Sequence, residues 1–189
     1  MKPRSESVEA WDLRVTLKGT EPLVWRRLLV PANIRLDRLH LVLQAAMGWK
    51  NSHLHQFKLG DIIFCPPDPE EPFETDQVDE RKARLDQVLP SGNYSFSYEY
   101  DFGDSWEHDV VLERIAQART TELPACLGGD RACPPENSGG VTGYASLLAI
   151  LANPQHPDHE EQRRWTGLKF DPAAFDLTTV NKRLRKIRS

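Results

Sequence analysis

Five aromatic residues at every second position, Tyr94, Phe96, Tyr98, Tyr100 and Phe102, alternate with Ser95, Ser97, Glu99 and Asp101. Side chains of an extended chain point alternately to opposite faces, so this run buries one face only as a strand half covered by a core. Gly103 breaks the run, and Trp106, His108, Val110 and Leu112 resume it, which predicts a hairpin over 93–115. The same pattern occurs earlier. Trp11, Leu13, Val15 and Leu17 alternate with Asp12, Arg14, Thr16 and Lys18. Gly19-Thr20-Glu21-Pro22 supplies a turn, and the chain returns over Leu23–Val30 with Trp25, Arg27 and Leu29 on one face, a hairpin over 11–30.

Between these hairpins the period changes. Leu36, Leu39, Leu43 and Ala46, with Val42 and Met47 beside them, form one stripe of a helix over 36–47, and Gly48 suits its C-terminal cap. Residues 53–64 read as strand, with a turn at Gly60-Asp61. Residues 66–80 carry prolines at 66, 67, 69 and 72 and acids at 68, 70, 71, 74, 76, 79 and 80, with no base. Such a segment offers little apolar area to offset ordering entropy and reads as a mobile acidic loop. The Gly-, Pro- and Cys-containing stretch 124–140 reads as a loop before a helix over 144–152. Asp158 and Glu161 resemble a capping box for a short helix ending before Gly167, and Leu177, Val180, Leu184 and Ile187 mark a last helix. The expectation is an α+β fold: a single domain over 11–189, with a mostly antiparallel sheet of hairpins and about four packed helices, behind a flexible N-terminus at 1–10.

Charge narrows the function classes. With 24 basic and 28 acidic side chains the formal charge is −4, which argues against whole-surface affinity for nucleic acid. The one basic feature is the last helix, where Lys182, Arg183, Arg185 and Lys186 lie opposite the apolar stripe. These are candidate nucleic-acid contacts, although cations at a helix C-terminus also complement its dipole without any partner. No apolar run approaches the ~20 residues that span a bilayer, so no membrane role is expected. Three sparse cysteines and an N-terminus without an apolar core point to the cytoplasm.

Several constellations could carry chemistry. His53 and His55 on one strand would share a face, which suits two ligands of a metal or a polar rim above a core. Asp101, Asp104, Trp106 and His108 crowd one turn. The carboxylates suit backbone caps or a site, and a histidine on an apolar face suits a satisfied core or a ligand. Cys126 and Cys133 are spaced too widely for a zinc knuckle but could add thiolates, with Glu136 just beyond. The candidate polar site is therefore His53, His55, Asp101, Asp104, Trp106, His108 and Glu136, where three segments meet at one rim of the sheet. Its candidate metal ligands are His53, His55, His108, Cys126 and Cys133. Carboxylate and imidazole would suit Zn, Mn or Fe, and thiols would favour Zn.

These segments also carry a resemblance. Trp25-Arg-Arg, Gly48-Trp49 with His53-Leu-His-Gln-Phe57, Tyr100-Asp-Phe-Gly-Asp-Ser-Trp-Glu-His108 and the Cys126–Glu136 stretch with Gly139-Gly140 occur in that order. In this the chain resembles the plasmid pRiA open-reading-frame-three-like family, over roughly residues 11–185. One departure is Asn137, where the family usually has an acid after Pro-Pro-Glu. The resemblance implies an α+β single domain, often encoded on plasmids or other mobile DNA, and no activity. Resolvase-like names in the family find no support here, since none of the six histidines is followed three residues later by Arg. Two classes are expected: a binding or accessory module contacting nucleic acid or protein, or a small metal-dependent or His/Asp-dependent hydrolase.

Overall fold

The computed structural model describes residues 6–68, 70, 73–89 and 94–187. Residues 1–5 of the expected flexible N-terminus, 69, 71 and 72 of the acidic loop, residue 93 of the second hairpin and the last two of the domain lie outside the described residues.

Both hairpins form as their alternation demands. The first is β1 (Ser7–Leu17) with β2 (Val24–Pro31), and the second is β6 (Ser95–Tyr100) with β7 (Trp106–Arg119). Between them lie β3 (His55–Leu59), β4 (Ile62–Cys65) and β5 (Gln77–Asp79), and β8 (Ala125–Asp130) follows. All eight join one sheet in the order β5-β4-β3-β6-β7-β1-β2-β8, antiparallel throughout except between β4 and β5. One face is apolar: Leu13, Val15, Leu28, Phe57, Tyr98, Trp106 and Val110 are all buried. On the other face Asp12, fully enclosed, accepts a two-armed hydrogen bond from Arg27 at 2.8 Å and faces Arg114 at 3.4 Å.

Among the described residues five α-helices accompany the sheet: α1 (Leu36–Met47), α2 (Leu85–Val88), α3 (Gly140–Ala152), α4 (His159–Thr166) and α5 (Leu177–Arg185). The stripe of α1 lies in the core, with Leu39 and Leu43 buried as expected. Gly48 caps α1 in a left-handed turn, its N–H donating to the Gln44 carbonyl. Val180 and Leu184 place α5 in the same core, against α1 and β8. Among the described residues no helix is long and apolar enough to cross a membrane.

Three expectations need correction. Residues 7–10 belong to the sheet, because β1 begins ahead of Trp11 and pairs Ser7 with Arg119. The acidic stretch gives way to strand at Gln77, and Asp79 and Glu80 are buried. Residues 125–130 are not loop but edge strand β8. Its glycines, which read as loop, mark close approach instead: a Cβ on Gly129 would sit 2.7 Å from the Phe175 ring and 2.8 Å from the Trp25 carbonyl.

Candidate functional site

The end of β6 builds the site. Tyr100 closes the strand on the core face, and Asp101 turns the chain with a left-handed φ of 60°. Its Oδ1 accepts from the N–H groups of Gly103 and Asp104 at 3.1 and 3.3 Å, a local turn that aspartate makes readily. Oδ2 is thereby left to face His53, 3.3 Å from Nε2. His53 lies in the crossing from α1 to β3, and its ring meets Tyr100 edge-on at 5.8 Å.

Glu136 arrives from the loop between β8 and α3. Its Oε1 accepts from the Lys50 N–H at 2.7 Å, and the Tyr100 hydroxyl donates to both oxygens at 3.1 and 3.2 Å. The Ser52 N–H in turn donates to that hydroxyl at 3.0 Å. Oε2 lies 3.8 Å from His53 Nε2. The docking of this loop is tight. Asp104 Oδ2 accepts from the Gly139 N–H at 3.1 Å, and a Cβ on Gly140, whose φ is 65°, would stand 2.5 Å from the Asp104 carbonyl oxygen.

His53, Asp101 and Glu136 thus offer one imidazole nitrogen and two carboxylate oxygens within 4.8 Å of one another. Nε2 of His53 is buried, yet among the described residues no hydrogen bond reaches it, with Asp101 Oδ2 at 3.3 Å and Glu136 Oε2 at 3.8 Å. A nitrogen wedged unpartnered between two positioned carboxylates is an arrangement a shared divalent cation satisfies.

The other candidates stand elsewhere. His55 opens β3, whereas His53 lies at a bend two residues before the strand begins, so the two are not ligands paired on one strand. Instead the His55 ring stacks on His40 at 3.4 Å and Nε2 lies 2.8 Å from the buried Glu80. His40 joins the Tyr98 hydroxyl at 2.9 Å and Asn51 Oδ1 at 2.7 Å, and Gln44 donates to the same hydroxyl at 3.1 Å. Burial first, then the neighbouring His55, pushes His40 down to about 3. His108 is fully buried, with Nδ1 3.2 Å from the Tyr98 carbonyl and the Trp49 ring edge-on at 5.3 Å; burial lowers it to about 4. It is a core histidine and does not meet His53. Trp106 is core as well, against Tyr144, and Asp104 holds the Gly139 loop rather than joining the cluster.

The cysteines also stay apart. Cys126 Sγ donates to the Gly128 carbonyl at 3.2 Å, and burial raises the Cys133 thiol far above its ordinary range. Neither joins the three-residue group, so the leaning toward Zn that thiolates would give has no basis. Lys182, Arg183 and Arg185 lie exposed on α5, and Lys186 lies exposed at its C-terminal cap. Tyr100, which orients Glu136, and the His40–Glu80 cluster escaped the sequence reading. His40 carried a signal, four residues after Leu36 and three before Leu43 on the apolar stripe of α1.

Residues 9–179 match the model of the plasmid pRiA4b ORF-3-like proteins. The uncharacterized protein y4hQ of Sinorhizobium fredii is 46% identical over 172 residues, covering 90% of this chain and 88% of that one. The crystal structure of a protein of unknown function, MM3350, from Methanosarcina mazei is similar with a TM-score of 0.83 and 35% identity, covering 90% of this chain and 96% of the other.

Proposed function

The chain belongs to the plasmid pRiA4b ORF-3-like family, and from the rim cluster it carries we propose that it is a divalent-metal-dependent hydrolytic domain centred on His53, Asp101 and Glu136. One observation carries this reading: the buried Nε2 of His53 has no hydrogen bond and faces two carboxylates. Those carboxylates are held from behind by the Gly103, Asp104 and Lys50 N–H groups and the Tyr100 hydroxyl. Outer partners of this kind fix ligand orientation before an ion arrives. His53, Asp101 and Glu136 would hold a divalent ion, which would supply Lewis acidity and lower the pKa of water at the positions three protein ligands leave free. Mn, Fe or Zn suits two carboxylates and an imidazole. The free thiols of Cys126 and Cys133 fit a cytoplasmic setting.

A second reading, a binding or accessory module on plasmid or mobile-element DNA, draws on the basic face of α5. There Lys182 and Arg185 are exposed and form no ion pair among the described residues. Calorimetric titration of chelator-stripped protein with Mn or Zn separates the two. The expected result is one tight site that His53→Ala and Glu136→Gln each weaken by about tenfold or more, with metal-dependent cleavage of a generic phosphoester. Absence of a site, or equal affinity in both variants, refutes the metal-centre reading; a tight site with no cleavage refutes hydrolysis and leaves a metal-bearing binding module.

A further inference from the structure

Glu136 has a second neighbourhood. Beside it a cleft of about 540 Å³ opens between the C-terminal end of α1, the loop at 132–137, the chain at 165–176 and α5. Three cations line it, each from a different element: Arg26 on β2, Lys50 after α1 and Arg183 on α5. The carboxylates lining it are Glu136 and Asp176, and both are engaged. Glu136 is held as described, and Asp176 caps α5 through the Thr178 and Thr179 N–H groups and the Thr179 hydroxyl.

Arg26 shows how this end of the cleft is charged. It is nearly fully buried, and its guanidinium donates to the carbonyls of Ala46, Trp25, Asp130 and Arg131 at 2.7 to 3.0 Å, with no carboxylate in contact. The Phe175 ring covers it at 4.8 Å. Arg26 is therefore a fixed internal cation, whereas Arg183 and Lys50 are exposed and without an ion pair among the described residues. Trp165, about half exposed, adds a large flat apolar surface to the same cleft. A free anion with an aromatic ring meets both features: its charge by Arg183 and Lys50, its ring by the indole.

We propose that this cleft is the substrate site of the rim centre and takes a nucleotide phosphate ester, its phosphate between Arg183 and Lys50 and its base on Trp165. The inference rests on the metal-centre reading for the placement of the reacting bond, but not for binding itself. Its shared chemistry, a phosphate beside a base, occurs both in a free mononucleotide and at the end of a nucleic-acid strand. The cleft is roughly of small-ligand size, and a strand would have to leave it across α5, where Lys182 and Arg185 lie.

The test is run in EDTA, so that failure of the metal centre cannot mask it. AMP, a 5′-phosphorylated trinucleotide and inorganic phosphate are titrated against the full chain by tryptophan fluorescence and calorimetry. AMP or the trinucleotide is expected to saturate one site. Arg183→Ala weakens it by about tenfold through loss of charge-assisted hydrogen bonds, and Trp165→Ala by about fivefold or more through loss of stacking. Inorganic phosphate responds to Arg183→Ala and not to Trp165→Ala. Circular dichroism melting checks that both variants fold, and Arg183→Lys, which keeps the charge, should recover part of the affinity. His53→Ala should bind AMP as the parent does. A trinucleotide tighter than AMP, and weakened further by Lys182→Ala with Arg185→Ala, identifies a strand end as the ligand; equal affinities identify the mononucleotide. No saturable binding of either nucleotide, or binding indifferent to both Arg183→Ala and Trp165→Ala, overturns the proposal.

Discussion

In the interior cluster, His40 uses both ring nitrogens, His55 reaches Glu80, and the Tyr98 hydroxyl lies between His40 and Gln44. At the rim, two carboxylates are held with equal care, yet the imidazole nitrogen between them has no hydrogen bond. Both clusters pair histidine with carboxylate beside β3 and β6, and residue type does not tell them apart. Satisfaction does. A buried polar group with its partners in place contributes to folding, while an orphan among positioned neighbours has a cost that something must recompense. The His108 Nε2 is also an orphan, but it lies among aromatic rings with no carboxylate facing it.

Acid should separate the two regions most strongly. His40 at about 3 and His108 at about 4 lie below their ordinary 6.5, so the unfolded chain takes up protons that the folded chain refuses. The stability these two rings contribute should be full above about pH 6.5 and should fall as the pH drops toward 4 and then 3, with a slope of up to about two protons. Urea unfolding at successive pH values measures that slope, and His40→Asn should reduce it by about one proton. A flat profile between pH 6.5 and 4 would mean these rings are not held neutral.

Next in size is the contrast between partners. Glu80→Ala strands His55 in the interior and should cost about 3–5 kcal/mol, comparable to truncating a buried leucine such as Leu39. His53→Ala should change stability by less than about 1 kcal/mol. Denaturant melts of the two variants side by side check this, and equal losses would erase the distinction between the clusters. Gly140→Ala should fall between them, at about 1–3 kcal/mol, because it adds a Cβ at positive φ against the Asp104 carbonyl. It should weaken metal binding as well, since the same loop carries Glu136, and calorimetry of the stripped variant reads that directly.

The smallest effect is expected from the acidic segment. Shortening it between Pro67 and Thr75 should move stability by about 0.5 kcal/mol or less. The same melts would show whether it belongs with the interior cluster that Glu80, just beyond it, helps to build.

The sequence made the sheet largely legible because alternation is a local property. Trp11 to Leu17 and Phe96 to Tyr100 need no partner to declare their buried face. Helix α1 declared itself likewise at its own period. The grouping of the candidate residues was half legible. His53, Asp101 and Glu136 each stood out in a dense motif, and the inference that three segments meet at a rim names the cluster found there. Pairing His53 with His55 failed because counting by two assumes a strand that has already begun, and the chain still bends at His53. His108 was ambiguous for a different reason: alternation places it on the core face but cannot say whether Trp49 or a carboxylate will cover it. Glu80 looked like one more acid in an acidic stretch, because burial by a distant histidine leaves no local trace.

Strand order has a consequence for synthesis. β1 lies inside the sheet, with β2 on one side and β7 on the other, and Leu17 pairs with His108. A nascent chain can therefore close its first hairpin soon after Pro31 leaves the ribosome, but that hairpin must wait with an open edge and an apolar face until β7 emerges. Helix α1 can cover the face in the interval; nothing local can cover the edge. A chaperone that shields strand edges, or a pause in translation that prolongs the wait, would therefore act on yield more than on the finished molecule's stability.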